Sequence, residues 1–592
     1  MTKRIVRIGA GCSADTTIAW PQMANHGELD YFLADYLYEA SVAGYAAELV
    51  TDPDAGYSKE FVGPDLEPHL QRLVERGVKI ITNAGGLNPL GCAKALQAVT
   101  DRLGLKARIA VVHGDDVLEW VNADMRDMFS GAALPGALVS ANAYLGAMPI
   151  ARALAKGADI VITGRVVDSA LIVAPLMHEF GWAWDDYERL GAATLIGHLL
   201  ECGPQPSGGI YTDWREIDWT DPSFPIAECH PDGTAVIYKV PGTGGQVSVG
   251  TTSEQILYEI GDPYRYFMPD VTCDLSGARL EVVGQDRVRV SGATGRAPTS
   301  TYKVCCMEQL GWRSVVSGVL SGPDVIEKAE KTTQAILARM EKLNGAAGLA
   351  PALGSSVELI GSGDSQGARR PSGEVREIVY RIVFDHVDRR GAESLLRVTR
   401  AAGVSMAPGS AGLLGFATTP LMKMHSVLME KSGIPVYVTL DGETEQVRVP
   451  EQGGFDEATI VRAPALRRAT FAETPAVNVP LVKLAWTRSG DKGNLSNIGV
   501  IARRPDYMPY LAASLTSEAV RQWFSHLYET PVAARVELHE VPGLNALNFM
   551  LHNALAGGAV SSRRFDPMGK GLGQQLIDFP VRVPEDLARH LA

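Results

Sequence analysis

Arg165 and Asp168, three residues apart in the stretch GRVVDS, set a planar cation beside a carboxylate on one side of a helical turn. Arginine matches a carboxylate or phosphate through two parallel N–H bonds. Asp168 could take a proton, hold Arg165 in place, or cap the helix that follows it. In VVHGDDV, His113 ends an apolar run, and Asp115 and Asp116 follow it. A histidine beside carboxylates makes a general base at neutral pH, whereas acids at a helix start are equally explained by the helix dipole. His113, Asp115, Arg165 and Asp168 are the catalytic candidates.

A second set of residues has binding chemistry. Asn83, Gly85, Gly86 and Asn88 in NAGGLNP combine a permissive backbone with amides that suit an oxyanion or a phosphate, and Asn88-Pro89 also reads as a plain turn. Gly11, Ser13 and Asp15 in GCSAD are candidate ligand contacts, and Cys12 between them could be a nucleophile only with a partner that the sequence does not identify. Arg488, Asp491, Lys492 and Asn494 in RSGDKGN read either as a solvated hairpin or as a cationic clamp on a CoA phosphate or carboxylate. Arg563, Arg564 and Lys570 in SSRRFDPMGKG offer the same charge. His198 and Cys202 share a helix face without a further ligand for zinc, so they read as core residues. Glu254 follows Ser253 and reads as helix-start chemistry. No metal site and no cofactor are assigned.

These residues must be positioned by elements, and the first 170 residues repeat one theme. Short β-branched runs at Arg4–Ile8, Val78–Thr82, Ala107–Val112 and Asp159–Thr163 are each followed by a polar loop and then a helical stretch. Continuous apolar runs of this length suit strands buried on both faces. The expected fold is α/β, a doubly wound and mostly parallel sheet whose strand-end loops at 9–15, 83–89, 113–116 and 163–168 line one crevice. A Gly- and Pro-rich β insertion is expected over 206–304 within a first domain of 1–461. A linker over 462–480 leads to a small α+β domain over 481–592.

The opening loop GAGCSA fits the G-x-G-x-x-G/A pattern of dinucleotide-binding units, with Asp35 placed for a ribose hydroxyl. The helix such a unit needs is interrupted by Pro21, so the expectation is a short helical turn followed by a loop, and a ligand other than NAD.

Composition narrows the classes. The chain has 592 residues, 46% hydrophobic and 21% charged, with a formal net charge of −13, which argues against a nucleic-acid partner. No run is long enough for a membrane span, and seven scattered cysteines without a C-x-x-C pair point to a reducing, cytoplasmic setting.

GCSADT at Gly11–Thr16, TNAGGLNP at Thr82–Pro89, DIVITGRVVDSAL at Asp159–Leu171, GHLLECGPQPSGG at Gly197–Gly209 and SGATGRAPTSTYKV at Ser291–Val304 resemble the acyclic terpene utilisation (AtuA-like) family. TRSGDKGNLSNIGVIAR at Thr487–Arg503 is similar to the ferredoxin-like domain that follows it in many members. The resemblance implies a place beside acyl-CoA carboxylases and enoyl-CoA hydratases in the breakdown of citronellol, geraniol or related branched acyl-CoA compounds. The expected function is acid–base chemistry (hydratase, lyase or hydrolase) on a CoA thioester or carboxylic acid by a homo-oligomer. The alternative is a non-catalytic binding or assembly subunit of an acyl-CoA carboxylase.

Overall fold

The computed structural model describes residues 5–25, 28–370, 373–471, 475–528 and 530–591; Arg4, the expected start of the first strand, and part of the expected linker lie outside them. Five parallel strands form the middle of the main sheet: β1 (Val6–Cys12), β2 (Tyr31–Asp35), β3 (Lys79–Thr82), β4 (Ile109–His113) and β5 (Ile160–Thr163), in the order β1-β2-β3-β5-β4. Their side chains alternate between two cores. Phe32, Ala34, Ile80, Ile160 and Ile162 pack with the helices Thr16–Asn25, Glu67–Glu75 and Pro89–Leu103. Tyr31, Leu33, Ile81 and Val161 pack with Met148–Ala155, Ala170–Phe180 and Tyr187–Leu200. Burial on both faces is why these strands read as unbroken apolar runs.

The sheet is mixed rather than mostly parallel. Beyond β1 it continues antiparallel through Pro225–Cys229, Ala235–Lys239, Arg287–Ser291 and Arg279–Gly284, and beyond β4 through Val436–Leu440 and Glu443–Val447. Much of the expected insertion is thus an extension of the main sheet. Thr16–Asn25 is one helix with Pro21 inside it, not a turn and a loop, because Ala19, Trp20, Met23 and Ala24 are buried around the proline. Gly9 and Gly11 serve packing: a Cβ at Gly9 would sit 2.5 Å from Met23 Sδ, and one at Gly11 3.1 Å from the Phe32 ring.

A second sheet is built from two strands of 21 residues, β6 (Thr301–Ser321) and β7 (Ser410–Glu430), with Glu377–His386 and Gly354–Ile360. Helices Val325–Ala346 and Arg389–Thr399 cover one of its faces, and the chain order is that of a split βαβ unit. The C-terminal unit has an antiparallel sheet in the order Ala485–Lys492, Leu495–Ala502, Ala546–His552 and Arg535–Val541. Ala546–His552 is a strand buried along nearly its whole length, with the burial pattern of a central strand rather than an alternating one. Ala476–Pro480, expected in the linker, pairs with Pro580–Pro584. No helix of the described residues is long and apolar enough to cross a membrane.

Candidate active site

The carboxyl ends of β1, β2, β3 and β5 meet on one rim of the sheet. Cys12 and Asp35 are register partners at the ends of β1 and β2, and Ser13 N donates to Asp35 O at 2.7 Å. Asn83, after β3, ties the rim together: its Nδ2 donates to Asp35 Oδ1 at 2.7 Å and its Oδ1 accepts from Tyr36 N at 2.6 Å. Burial pushes the Asp35 carboxyl up to about 6, with Glu201 adding to it, against the bond from Asn83 and the charge of Arg165.

Arg165 follows β5 and is buried. Asp115 holds it from behind, accepting from Arg165 N at 2.9 Å and from Asn142 Nδ2 at 2.9 Å. The guanidinium donates through Nη1 to Leu37 O, stacks 4.1 Å over the Tyr144 ring, and stands 3.3 Å from Asp168 Oδ1. Its Nε and the facing Asp168 Oδ1 are buried without a hydrogen-bond partner. Asp168 does not cap the following helix, whose first turn starts after Ser169.

Around this pair lies a ring of charge that the sequence reading did not assemble. Glu39 accepts from Tyr144 Oη at 3.3 Å and lies 3.9 Å from Lys303 Nζ, which itself sits 4.8 Å from the Tyr144 ring centroid. From the C-terminal unit, Lys492 Nζ pairs with Glu259 Oε2 at 2.7 Å. Glu201, on the helix side of the rim, accepts from His198 Nδ1 at 2.8 Å. Asp168, Lys303 and Lys492 keep 28%, 26% and 37% of their side-chain surface although the protein surrounds them, so they line a recess rather than a packed core.

The two carboxyls beside Arg165 diverge. Burial drives Asp168 far above the usual carboxylate range, reinforced by Asp35 and Glu201, although Arg165 and Lys492 oppose it. Glu39 is held down to about 2, because Lys492, Lys303 and Arg165 overcome the cost of its burial. Asp491 is raised to about 8 by burial and by Glu259 and Glu39.

The C-terminal hairpin is not a solvated loop. Arg488 to Lys492 belong to the strand Ala485–Lys492, whose residues from Thr487 to Asp491 are buried. Arg488 donates to Ile210 O and Gln205 Oε1 and stacks 4.5 Å over the Tyr258 ring, with its Nε left buried and unpartnered. Asn497 and Asn548 seat the sheet against the first unit, donating to Leu257 O at 2.6 Å and to Ile260 O at 2.8 Å. Lys570 also reaches the recess, its charge bearing on Cys12 and Asp491.

Other candidates stand apart. His113 bonds Thr439 Oγ1 at 2.9 Å and stacks on Tyr437, and burial lowers its pKa. Asn88 caps the helix Pro89–Leu103 by accepting from Gly91 N, and Gly85 and Gly86 are turn residues in close contact with Pro89 and with Gly56 O. Gly11 lies under Phe32, and Asp15 is exposed at the start of its helix. Asn494 accepts from Leu555 N and Gly557 N, and Arg563 pairs with Asp385. Burial pushes the Cys12 thiol up to about 12, which denies it the thiolate a nucleophile needs. Glu254 is in mid-helix, capped by Ser248 rather than Ser253, and is raised by burial to about 7. Among the described residues no three His, Cys, Asp or Glu side chains are grouped to hold a metal ion.

A family model described as "Acyclic terpene utilisation family protein AtuA" matches residues 5–440, and one described as "AtuA ferredoxin-like domain" matches 479–582. Among curated proteins no sequence matches the chain. The first match spans every strand end of the recess, and the second spans the hairpin that supplies Lys492. The chain belongs to the acyclic terpene utilisation family AtuA and carries its ferredoxin-like domain.

Proposed function

We propose that the chain is an enzyme of acyclic terpenoid or related branched acyl-CoA breakdown, performing a proton-transfer step on a carboxylic acid or its CoA thioester in this recess. Hydration, elimination and hydrolysis all fit that step. The observation that carries the reading is the divergence of Glu39 and Asp168, both of which feel the charge of Arg165. Environments that push two carboxyls apart let one site hold a proton donor and a fixed negative charge at the same pH. Asp168, whose carboxyl burial drives well above the usual carboxylate range, is the proton donor, and Asp35, raised to about 6, is an acceptor on the same rim. The free Nε of Arg165 is the donor to a substrate oxygen, where charge developing in a dry site is stabilised most. Glu39 is the fixed charge that keeps Lys303 and Lys492 turned inward. The family name supports the terpene pathway.

Thermal shift with branched acyl-CoAs and with their free acids tests the reading, since a ligand that binds only the folded state raises Tm. Arg165→Lys should lose that rise, and Asp168→Asn should keep it while turnover falls by on the order of 10²–10⁴. A wild type indifferent to every acyl-CoA and acid, or an Arg165→Lys variant with an unchanged response, defeats the proposal.

A further inference from the structure

The second sheet ends in an edge that the rest of the chain leaves half bare. β7 is its outermost strand and, among the described residues, pairs only with β6. Towards its C-terminal end the edge is covered: Met128 N donates to Ser426 O at 2.7 Å, and Asp127 Oδ2 accepts from Ser426 N at 2.9 Å. Among the described residues no such cover lies over its first half. There the seven residues Ala411 to Ala417, AGLLGFA, are all exposed and carry no polar side chain. A strand packed on one face alternates buried and exposed residues; seven exposed in succession means that neither face is covered. Leu414 keeps 65% of its surface and Phe416 57%, and Val404, in the short helix Ala402–Ser405 beside them, keeps 90%. Runs of exposed apolar residues this long are selected against unless something binds them.

The distribution of charge also says what binds. From Ala401 to Met422 there is no charged residue, in a chain that is 21% charged with a net charge of −13. Two copies of this chain repel each other over most of their surfaces, and a neutral strip is where they can meet. In a two-fold contact each residue near the axis faces its own counterpart, so any charge there would meet itself. A basic partner would instead find its complement in the acidic surface elsewhere. One-residue bulges displace Ala411 and Leu414 from register with β6, which breaks the ladder an unrelated strand would extend and turns the side chains outward as the contact.

We infer that residues Val404 and Ala411 to Ala417 form the two-fold contact of a homodimer, a second copy of this chain laying the same strip antiparallel on the first. Val404, Leu413, Leu414 and Phe416 offer roughly 400 Å² of apolar surface per copy, about half of the ~800 Å² a standard interface takes from each partner, and the flanking glycines and alanines let the backbones approach to supply the remainder. The strip lies outside the recess, and the inference does not depend on the proposed chemistry.

Sedimentation velocity of the full chain across a micromolar concentration series tests it. The wild type should sediment at twice its 63.4 kDa mass. Leu414→Glu and Phe416→Glu, both at exposed positions, should raise the dimer dissociation constant at least 100-fold and leave the circular dichroism spectrum and Tm unchanged. Leu428→Glu, an exposed apolar position on the covered half of the same strand, should leave the dimer intact. A wild type that stays monomeric through the series, or a dimer that survives both glutamates, overturns the inference.

Discussion

Asp115 shows how a residue that looks catalytic in sequence can act only through another, and the difference can be measured. Its carboxylate is buried and accepts Arg165 N and Asn142 Nδ2, each at 2.9 Å, while touching none of the recess cations directly. Asp115→Ala leaves two buried donors unpaired, at about 1–3 kcal/mol each, so about 2–6 kcal/mol in all. Both bonds end on Oδ2, so the amide oxygen of Asp115→Asn can take both, and what changes is the charge. Burial raises the wild-type carboxyl from 3.8 to about 6. A raised carboxyl costs nothing below its unfolded pKa, and the cost of charging it grows as pH climbs to the folded value, reaching about 3 kcal/mol by pH 8. The amide escapes that cost. Relative to the wild type, Asp115→Asn should therefore gain about 1.5 kcal/mol between pH 5 and pH 8. Urea unfolding followed by tryptophan fluorescence at the two pH values reads the gap, and turnover reads the role. If Asp115→Asn abolishes turnover while Arg165 still binds ligand, or if the amide loses ground to the wild type as pH rises, Asp115 is not a support.

Four further outcomes follow from the same geometry. Glu254→Gln keeps the bond from Thr212 N and removes a charge whose carboxyl is raised to about 7, so it should stabilise the chain by about 3 kcal/mol at pH 8.5 and by little at pH 5, read from Tm at both. Gly86→Ala places a Cβ 2.5 Å from Gly56 O at a φ of +56°, and should cost about 1–3 kcal/mol in urea unfolding. Lys492→Glu sets a carboxylate against Glu259 and Glu39; because Lys492 keeps 37% of its side-chain surface, salt should screen part of the repulsion and the loss of Tm should be smaller at high salt than at low. Truncation after residue 465 strips the partners of Leu257 O, Ile260 O and Gly261 O, so the remaining chain should melt well below the full one or aggregate.

What the sequence made legible follows from distance along the chain. β-branched runs buried on both faces announce the parallel strands, and the rim residues Asn83, Arg165 and Asp168 sit directly after them, so local pattern finds both. Glu39, Tyr144, Lys303 and Glu201 come from a helix, a loop, the start of a 21-residue strand and a helix end, and only tertiary packing brings them together. Asp35 was visible as an acid at a strand end, but the glycine pattern cast it as a ribose contact rather than as the partner of Asn83. His113 had the right chemistry at the right strand end; the antiparallel strand Val436–Leu440 then paired with β4 and took the ring for Thr439 and Tyr437. The hairpin of Arg488 to Lys492 reads in sequence either as solvated or as a clamp, and no local signal says that a hairpin will be buried by another unit.

That last burial decides the chemistry. Lys492, from the C-terminal unit, is the foremost charge holding Glu39 ionised, ahead of Lys303 and Arg165. The foremost cause of the high Asp168 pKa is its removal from water, and the same unit supplies part of the enclosure. Drawing the unit away would let Glu39 rise and let water reach Asp168, so its carboxyl would fall. The two values would converge from both sides, and the site would lose its separation into a proton donor and a fixed charge. Neither unit supplies those surroundings alone: the first provides the carboxyls and Arg165, the second Lys492 and part of the enclosure. The chain therefore has reason to seat the second unit with buried asparagines and a bidentate Arg503–Asp213 pair rather than to tether it loosely.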